Sequence, residues 1–384
     1  MAVIDVDTHW EVARFAPGAH PLEPWLDRCP APGAEHLAFA IGGDLLASLP
    51  PGRRPDGRAL LPKLVERAEA AGGPVALHPR HDSTSAERVA WMDGVGIDHC
   101  LVNPGGYWQL LEFLGPDRPA GVRRLNDFLA EQLADHADRL HAVATVDLSD
   151  LRVAVAEMER ARARGHRAFF LYTVDGQPPN QVPPGHPDWD IVWSAAVDLG
   201  MVASIHVGNT ASHFGRWADI GWDRPGGAGV ANLLRLANSQ RTHVVQDLLV
   251  SMLYGGVFHR HPDLTVLLEE VKIGWLPGFV DACERQSRPN PALGDWPFDV
   301  SGGDMLRRNV KATPLPGFGD VEALDVLARF PEMCLFSSDY PHQEGNADPI
   351  ELYGEPLRAL DPGIRDGFLG GNAADAFART GDPL

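Results

Sequence analysis

The chain has 384 residues, of which 44% are hydrophobic, 22% charged and 8% aromatic, enough apolar material to bury a large core. A formal net charge of −19 argues against nucleic acid and anionic membrane surfaces as partners, because a polyphosphate is repelled rather than steered in; small molecules are left. No apolar run approaches the roughly 20 residues needed to span a bilayer, and no basic-then-apolar leader opens the chain, so a cytoplasmic protein is expected.

Short, nearly continuous apolar runs at residues 3–6, 100–103, 142–145, 168–171, 202–206, 264–268, 309–312 and 334–337 read as strands. Stretches with helical periodicity separate them, at 86–94, 122–136, 150–164, 190–199, 230–254, 275–286, 320–330 and 349–360. Apolar strands interleaved with amphipathic helices imply a parallel sheet covered by helices, and eight such strands predict a closed (β/α)8 TIM barrel occupying residues 1–384 as one domain. An open doubly wound sheet is the alternative, but its first strand should lead into a phosphate-binding glycine turn. Here the first strand leads into Asp7-Thr8-His9-Trp10-Glu11, and the pairs Gly226-Gly227 and Gly302-Gly303, which follow no strand, read as turns. Two segments fall outside the repeat: residues 14–84, expected as an insertion over the barrel mouth, and residues 207–228, expected as a lid loop after strand five. Cys29, Cys100, Cys283 and Cys334 are far apart and in no metal or disulfide spacing; Cys100 and Cys334 read as core.

A barrel presents its catalytic groups at the C-terminal ends of its strands, and the candidate ligands fall there. Asp7 and His9 follow strand one and, two residues apart, share a face. His206 ends the apolar Val202-Ala203-Ser204-Ile205 run, Glu269 and Glu270 end strand six, and Asp339 and His342 follow strand eight. Flanked by Leu267, Leu268 and Val271, at least one of the two glutamates should point inward and need a cation, and Glu270 is the favoured one.

These segments resemble the amidohydrolase superfamily, specifically its amidohydrolase-related branch that includes non-oxidative decarboxylases. The resemblance is carried by residues 5–11, 204–208, 256–264, 270–277 and 337–342, with Gly371-Asn372-Ala373-Ala374 similar to the family's closing helix. It implies metal ligands at Asp7, His9, His206 and Asp339, and a homo-oligomeric assembly. Three departures stand out: Asp7 replaces the first histidine of the His-x-His found in many relatives, strand four reads Ala168-Phe169-Phe170-Leu171-Tyr172 and lacks the carboxylated lysine that bridges dinuclear hydrolases, and Glu270 stands where decarboxylases of the branch carry a catalytic histidine.

Asp7, Glu270, Asp339 and Glu11 against two histidines make a harder, more anionic donor set than a typical catalytic zinc site, one suited to one or two iron or manganese ions. Glu270 is then a candidate bridge to a second ion, and some superfamily members with such shells resemble dinuclear iron monooxygenases. The favoured expectation is an oxygenase that uses O2 to hydroxylate a small carboxylate- or acyl-bearing molecule. A mononuclear zinc or manganese hydrolase or decarboxylase, with Glu270 as base or His342 as acid, is the alternative. A non-catalytic partner subunit is a third, and requires a broken ligand set. Lys272 is a candidate for a substrate carboxylate or for pairing with Glu269, and Tyr172, Trp108 and His213 for a substrate pocket. His243, one helical turn from Asp247, is a candidate ligand or supporting group, with a solvated helix pair the more frequent outcome. His259 and His261 are expected to be structural, and His78, His81 and His99 not to be ligands.

Overall fold

The computed structural model describes residues 2–10, 21–22, 24–25, 84–105, 111, 114–173, 178–206, 230–292, 294–315, 324–341 and 348–384, with backbone alone for 230–241. The insertion expected at 14–84, apart from a few positions, and the lid expected at 207–228 lie outside them, as do Glu11, Trp108, His213 and His342.

Seven strands, β1 (Ile4–His9), β2 (His99–Asn103), β3 (Leu140–Ala144), β4 (Ala168–Phe170), β5 (Val202–His206), β6 (Val266–Glu269) and β7 (Val310–Ala312), pair in parallel in sequence order. Residues 334–340 then return to touch both edges. Leu335 N–H donates to Ala312 O at 3.0 Å on one side; on the other, Val6 N–H donates to Phe336 O at 3.2 Å and His9 N–H to Tyr340 O at 2.7 Å. These bonds close the (β/α)8 TIM barrel through an eighth segment with too few ladder bonds to be a regular strand.

Helices occupy the expected gaps: α1 (Ser85–Val95), α2 (Arg118–Leu133), α3 (Leu151–Ala163), α4 (Asp190–Asp198), α5 (Val230–Tyr254), α6 (Val257–Arg260), α7 (Leu276–Gln286), α8 (Gly302–Asn309), α9 (Asp325–Arg329), α10 (Pro349–Arg358), α11 (Pro362–Asp366) and α12 (Asn372–Arg379). Their ends are chemically specified. Thr84 caps α1 by accepting Glu87 N–H, and Gly96 ends it at φ 80° in the left-handed region that favours glycine. Asp150 caps α3 by accepting from Arg152 and Val153 N–H, with Arg160 and Arg162 in its last turn against the helix dipole. Among the described residues, no helix is long and apolar enough to cross a membrane.

Gly302-Gly303 is not a turn but the first turn of α8. Ser301 caps this helix by accepting Asp304 N–H, and the missing side chains let it approach α7: a Cβ at Gly302 would lie 2.9 Å from Cys283 O, and one at Gly303 2.7 Å from Glu284 Oε2. The low helix propensity of glycine hid this element.

The core has two parts. The larger lies between strands and helices and includes Cys100, Val102, Ala142, Phe169, Ala203, Ile205, Leu268, Ala312, Cys334 and Phe336. The smaller fills the barrel with Ile4, Val6, Leu101, Val143, Phe170, Val202, Leu267 and Leu335, closed from below by Ala373 and Phe377 of α12.

The first strand runs past Val6, to His9, and carries an irregularity that orients the site. Ile4 and Asp5 pair with His99 and Cys100, but Thr8 and His9 pair with Val102 and Asn103, so β1 gains one residue between Asp5 and Thr8. Below this bulge the even-numbered Ile4 and Val6 face the barrel interior; above it the odd-numbered Asp7 and His9 do. One strand thereby contributes to the apolar plug and to the polar layer above it.

The C-terminal segment that seals the plug fits tightly against β1. A Cβ at Gly370 would lie 2.0 Å from Ala2 O and 3.3 Å from Ile4 N, both backbone atoms. Gly370→Ala is expected to destabilise the protein by about 3 kcal/mol through overpacking, read as a lowered Tm in thermal denaturation. An unchanged Tm would contradict this seating.

Candidate metal centre

Asp7, His9, His206, Glu270 and Asp339 converge above the apolar plug. His9 Nε2 lies 3.3 Å from Asp7 Oδ1, 3.3 Å from Glu270 Oε1 and 3.2 Å from Asp339 Oδ1, with His206 Nε2 at 3.3 Å. Glu270 Oε1 is also 3.3 Å from His206 Nε2. Ligand atoms of Asp7, His9, His206 and Glu270 all lie within 4.8 Å of one another, a spacing that can hold a metal ion. His206 is 8% exposed and the other four 3% or less, so bulk water does not screen these charges.

The backbone aims these groups. Glu270, immediately beyond β6, and Asp339, in the closing segment 334–340, take φ 55° and 54°, and Lys272 takes 63°, in the left-handed region that costs non-glycine residues about 1 kcal/mol or more. Asp339 N–H donates to Asp7 O at 3.0 Å, tying the two ligand-bearing segments together across the closure. The His206 ring meets Phe170 of the plug edge-on at 6.2 Å, so an apolar floor restricts its rotation.

Burial pushes the Asp7 carboxyl upward, but His206 and His9 outweigh it and hold Asp7 below the ordinary carboxylate range. Burial opposes charge on His206 as well, yet Glu270 and Asp7 raise it well above the usual imidazole value. The two carboxylates thus favour the charged form of His206, and a bound divalent ion would compete with that proton. The donors fit a hard or borderline divalent ion, and the buried Asp7 Oδ2 has no hydrogen-bond partner among the described residues, as suits an oxygen reserved for a ligand.

Behind the ligands lies a layer that sequence reasoning missed. Asn103 Nδ2 donates to Asp7 Oδ1 at 2.9 Å and reaches Glu269 Oε2 at 3.4 Å, while Ser204 Oγ donates to the same Glu269 oxygen at 2.6 Å. Both glutamates of the pair are therefore buried: Glu270 among the ligands and Glu269 beneath them. Burial, with Asp7 nearby, pushes Glu269 up to about 8. Asp5, on the opposite face of β1, accepts Ser338 N–H at 3.0 Å, and burial pushes it up to about 7.

The lesser candidates separate cleanly. Tyr172 is buried with the larger apolar core, and Lys272 is half-buried on the turn after Glu270. His243 and Asp247 are both exposed on α5. His259 lies 3.2 Å from Asp299 and His261 3.3 Å from Asp190. His99 Nδ1 meets His141 Nε2 at 3.2 Å between the lower ends of β2 and β3, where burial, with Arg167 nearby, pushes His141 down to about 3.

A metal must displace the proton that Asp7 and Glu270 stabilise on His206. Mn2+ affinity, measured by calorimetric titration, is expected to rise about tenfold from about pH 6.5 to about pH 7.5 for each proton released, and His206→Ala to lose it. Equal affinities at the two pH values would contradict the protonated state.

Residues 104–379 match the amidohydrolase family model. An amidohydrolase from Mycobacterium avium subsp. paratuberculosis shares the fold with a TM-score of 0.66 at 22% identity, over 98% of this chain and 99% of that one. The 2,6-dihydroxybenzoate decarboxylase from Rhizobium gives 0.60 at 16% identity, over 98% of each chain. A 5-carboxyvanillate decarboxylase from Novosphingobium aromaticivorans, complexed with manganese and 4-hydroxy-3-methoxy-5-nitrobenzoic acid, gives 0.60 at 18% identity, over 98% and 96%. With the family match over most of its length and an intact donor set at the barrel mouth, the chain belongs to the amidohydrolase family as a metal-dependent enzyme.

Proposed function

We propose that this enzyme is an oxygenase with a carboxylate-rich dinuclear iron centre, acting on a small carboxylate- or acyl-bearing molecule. The observation that carries the reading is the position of Glu270. Its Oε1 lies 3.3 Å from both imidazoles, which supports a place for it in the metal shell over a separate role as the general base of a hydrolase. Asp7, Glu270 and Asp339 carry three negative charges in a buried volume, more than one divalent ion neutralises.

Asp7, His9, His206, Glu270 and Asp339 would hold the ions. A bound ferrous pair would supply the two electrons that, with two protons, take O2 to one hydroxyl group on the substrate and one water, and an external two-electron reductant would restore the pair between turnovers. The protein contributes orientation and exclusion: Asn103 fixes Asp7, Phe170 floors His206, and the apolar plug keeps water from entering beneath. Lys272, half-buried two residues beyond Glu270, is the proposed anchor for a substrate carboxylate.

A second reading, a mononuclear manganese decarboxylase or hydrolase, is favoured by two of the structural neighbours, decarboxylases of aromatic acids, one of them in complex with manganese. Anaerobic reconstitution with Fe(II), metal counting and then admission of air separate the two. The oxygenase requires about two irons per chain that oxidise together with a spectral change, and loss of one in Glu270→Gln. One redox-silent ion per chain, unchanged in Glu270→Gln, with CO2 release from an aromatic carboxylate in manganese, would establish the second reading instead.

A further inference from the structure

Arg88, in the first turn of α1, is only 1% exposed, an unusual position for a guanidinium. Its Nη1 donates to Thr8 Oγ1 at 3.0 Å and its Nη2 to His9 O at 2.5 Å. The guanidinium carbon sits 4.9 Å from the ring centre of Tyr340, 5.7 Å from that of Trp10 and 6.0 Å from that of Trp91, and Trp91 stacks on Tyr340 at 3.8 Å. Thr8 Oγ1 donates onward to Leu101 O at 2.7 Å.

These contacts join three chain segments directly behind the metal centre. Thr8 lies between Asp7 and His9, Tyr340 follows Asp339, and Leu101 is on β2, which also carries Asn103. Removing a guanidinium from water costs several kcal/mol, so an apolar side chain would serve better if α1 only needed packing. What an apolar side chain lacks is the planar fork, which bonds a hydroxyl and a carbonyl along one edge while its face lies against aromatic rings.

We propose that Arg88 is a positioning residue for the metal centre. By holding the His9 carbonyl along one edge and Tyr340 against its face, it sets the separation of the two segments that carry Asp7, His9 and Asp339. The inference rests on the reading of these residues as a metal shell, and wild-type metal binding tests that reading separately.

Purified wild type, Arg88→Met and Arg88→Lys are to be compared by calorimetric Mn2+ titration, by the Mn2+ EPR spectrum and by thermal denaturation. Arg88→Met is expected to fold and to bind Mn2+ about 10–100-fold more weakly, with an altered spectrum of the bound ion, which is the effect of losing a group that orients metal ligands. Arg88→Lys keeps the charge but not the fork, and is expected to weaken binding several-fold. If Arg88→Met does not fold, Arg88→Lys alone decides. Variants that lose thermal stability but bind Mn2+ with wild-type affinity and spectrum overturn the proposal, since a purely structural arginine gives that result. A wild type that binds no Mn2+ or Fe2+ overturns both the metal shell and this inference, whereas wild-type binding with unaltered variants overturns the inference alone.

Discussion

Three carboxylates and two imidazoles share a volume from which water is nearly excluded, and such a cluster requires a positive charge among its members. The charge sets the protonation of His206, and the identity of what supplies it sets the chemistry. Much of the architecture maintains this concentration of like charge. The apolar layer beneath prevents relief by hydration, and the return of residues 334–340 between β7 and β1 brings Asp339 against Asp7. Left-handed backbone at Glu270 and Asp339 is tolerated where the surrounding bonds over-determine it.

A graded polarity along the barrel axis follows. At the bottom, α12 and the plug are apolar; above them Ser204, Asn103 and Glu269 form a hydrogen-bonded layer whose one carboxyl is pushed toward neutrality; at the top sit the ligands. The middle layer is a dielectric transition. It supplies one directed donor to Asp7, the Asn103 amide, without adding a further full negative charge to the centre at neutral pH.

Much of this was legible in the amino-acid sequence, because buried polar residues break apolar runs conspicuously. Asp7, His9, His206, Glu270 and Asp339 were readable as strand-end groups, and the strand and helix order followed from periodicity. What escaped did so for physical reasons. Asn103 closes an apolar strand as an ordinary polar residue does, and only the fold shows that it faces Asp7. At least one of Glu269 and Glu270 was expected to point inward, and because the chain turns sharply after β6 both are buried. Arg88 drew no notice in the sequence, because nothing around it distinguishes a buried guanidinium from a solvated one. The cap of Ser301 was hidden behind two glycines, and the bulge in β1 leaves no trace in composition because it is a matter of register with a distant strand.

That bulge makes the spacing between the start of the chain's first strand and its first ligand pair a matter of parity. Ile4 and Val6 must point inward to fill the plug, and Asp7 and His9 must point inward to reach the centre; a regular strand can satisfy one pair only. Lengthening or shortening this segment by one residue would leave the ladder, the composition and the order of residues almost untouched, yet would turn either the plug or the ligands to face the surrounding helices. A change of a single residue here is thus a discontinuity rather than a gradation, and the inward placement of Asp7 and His9 depends on the irregularity that precedes it.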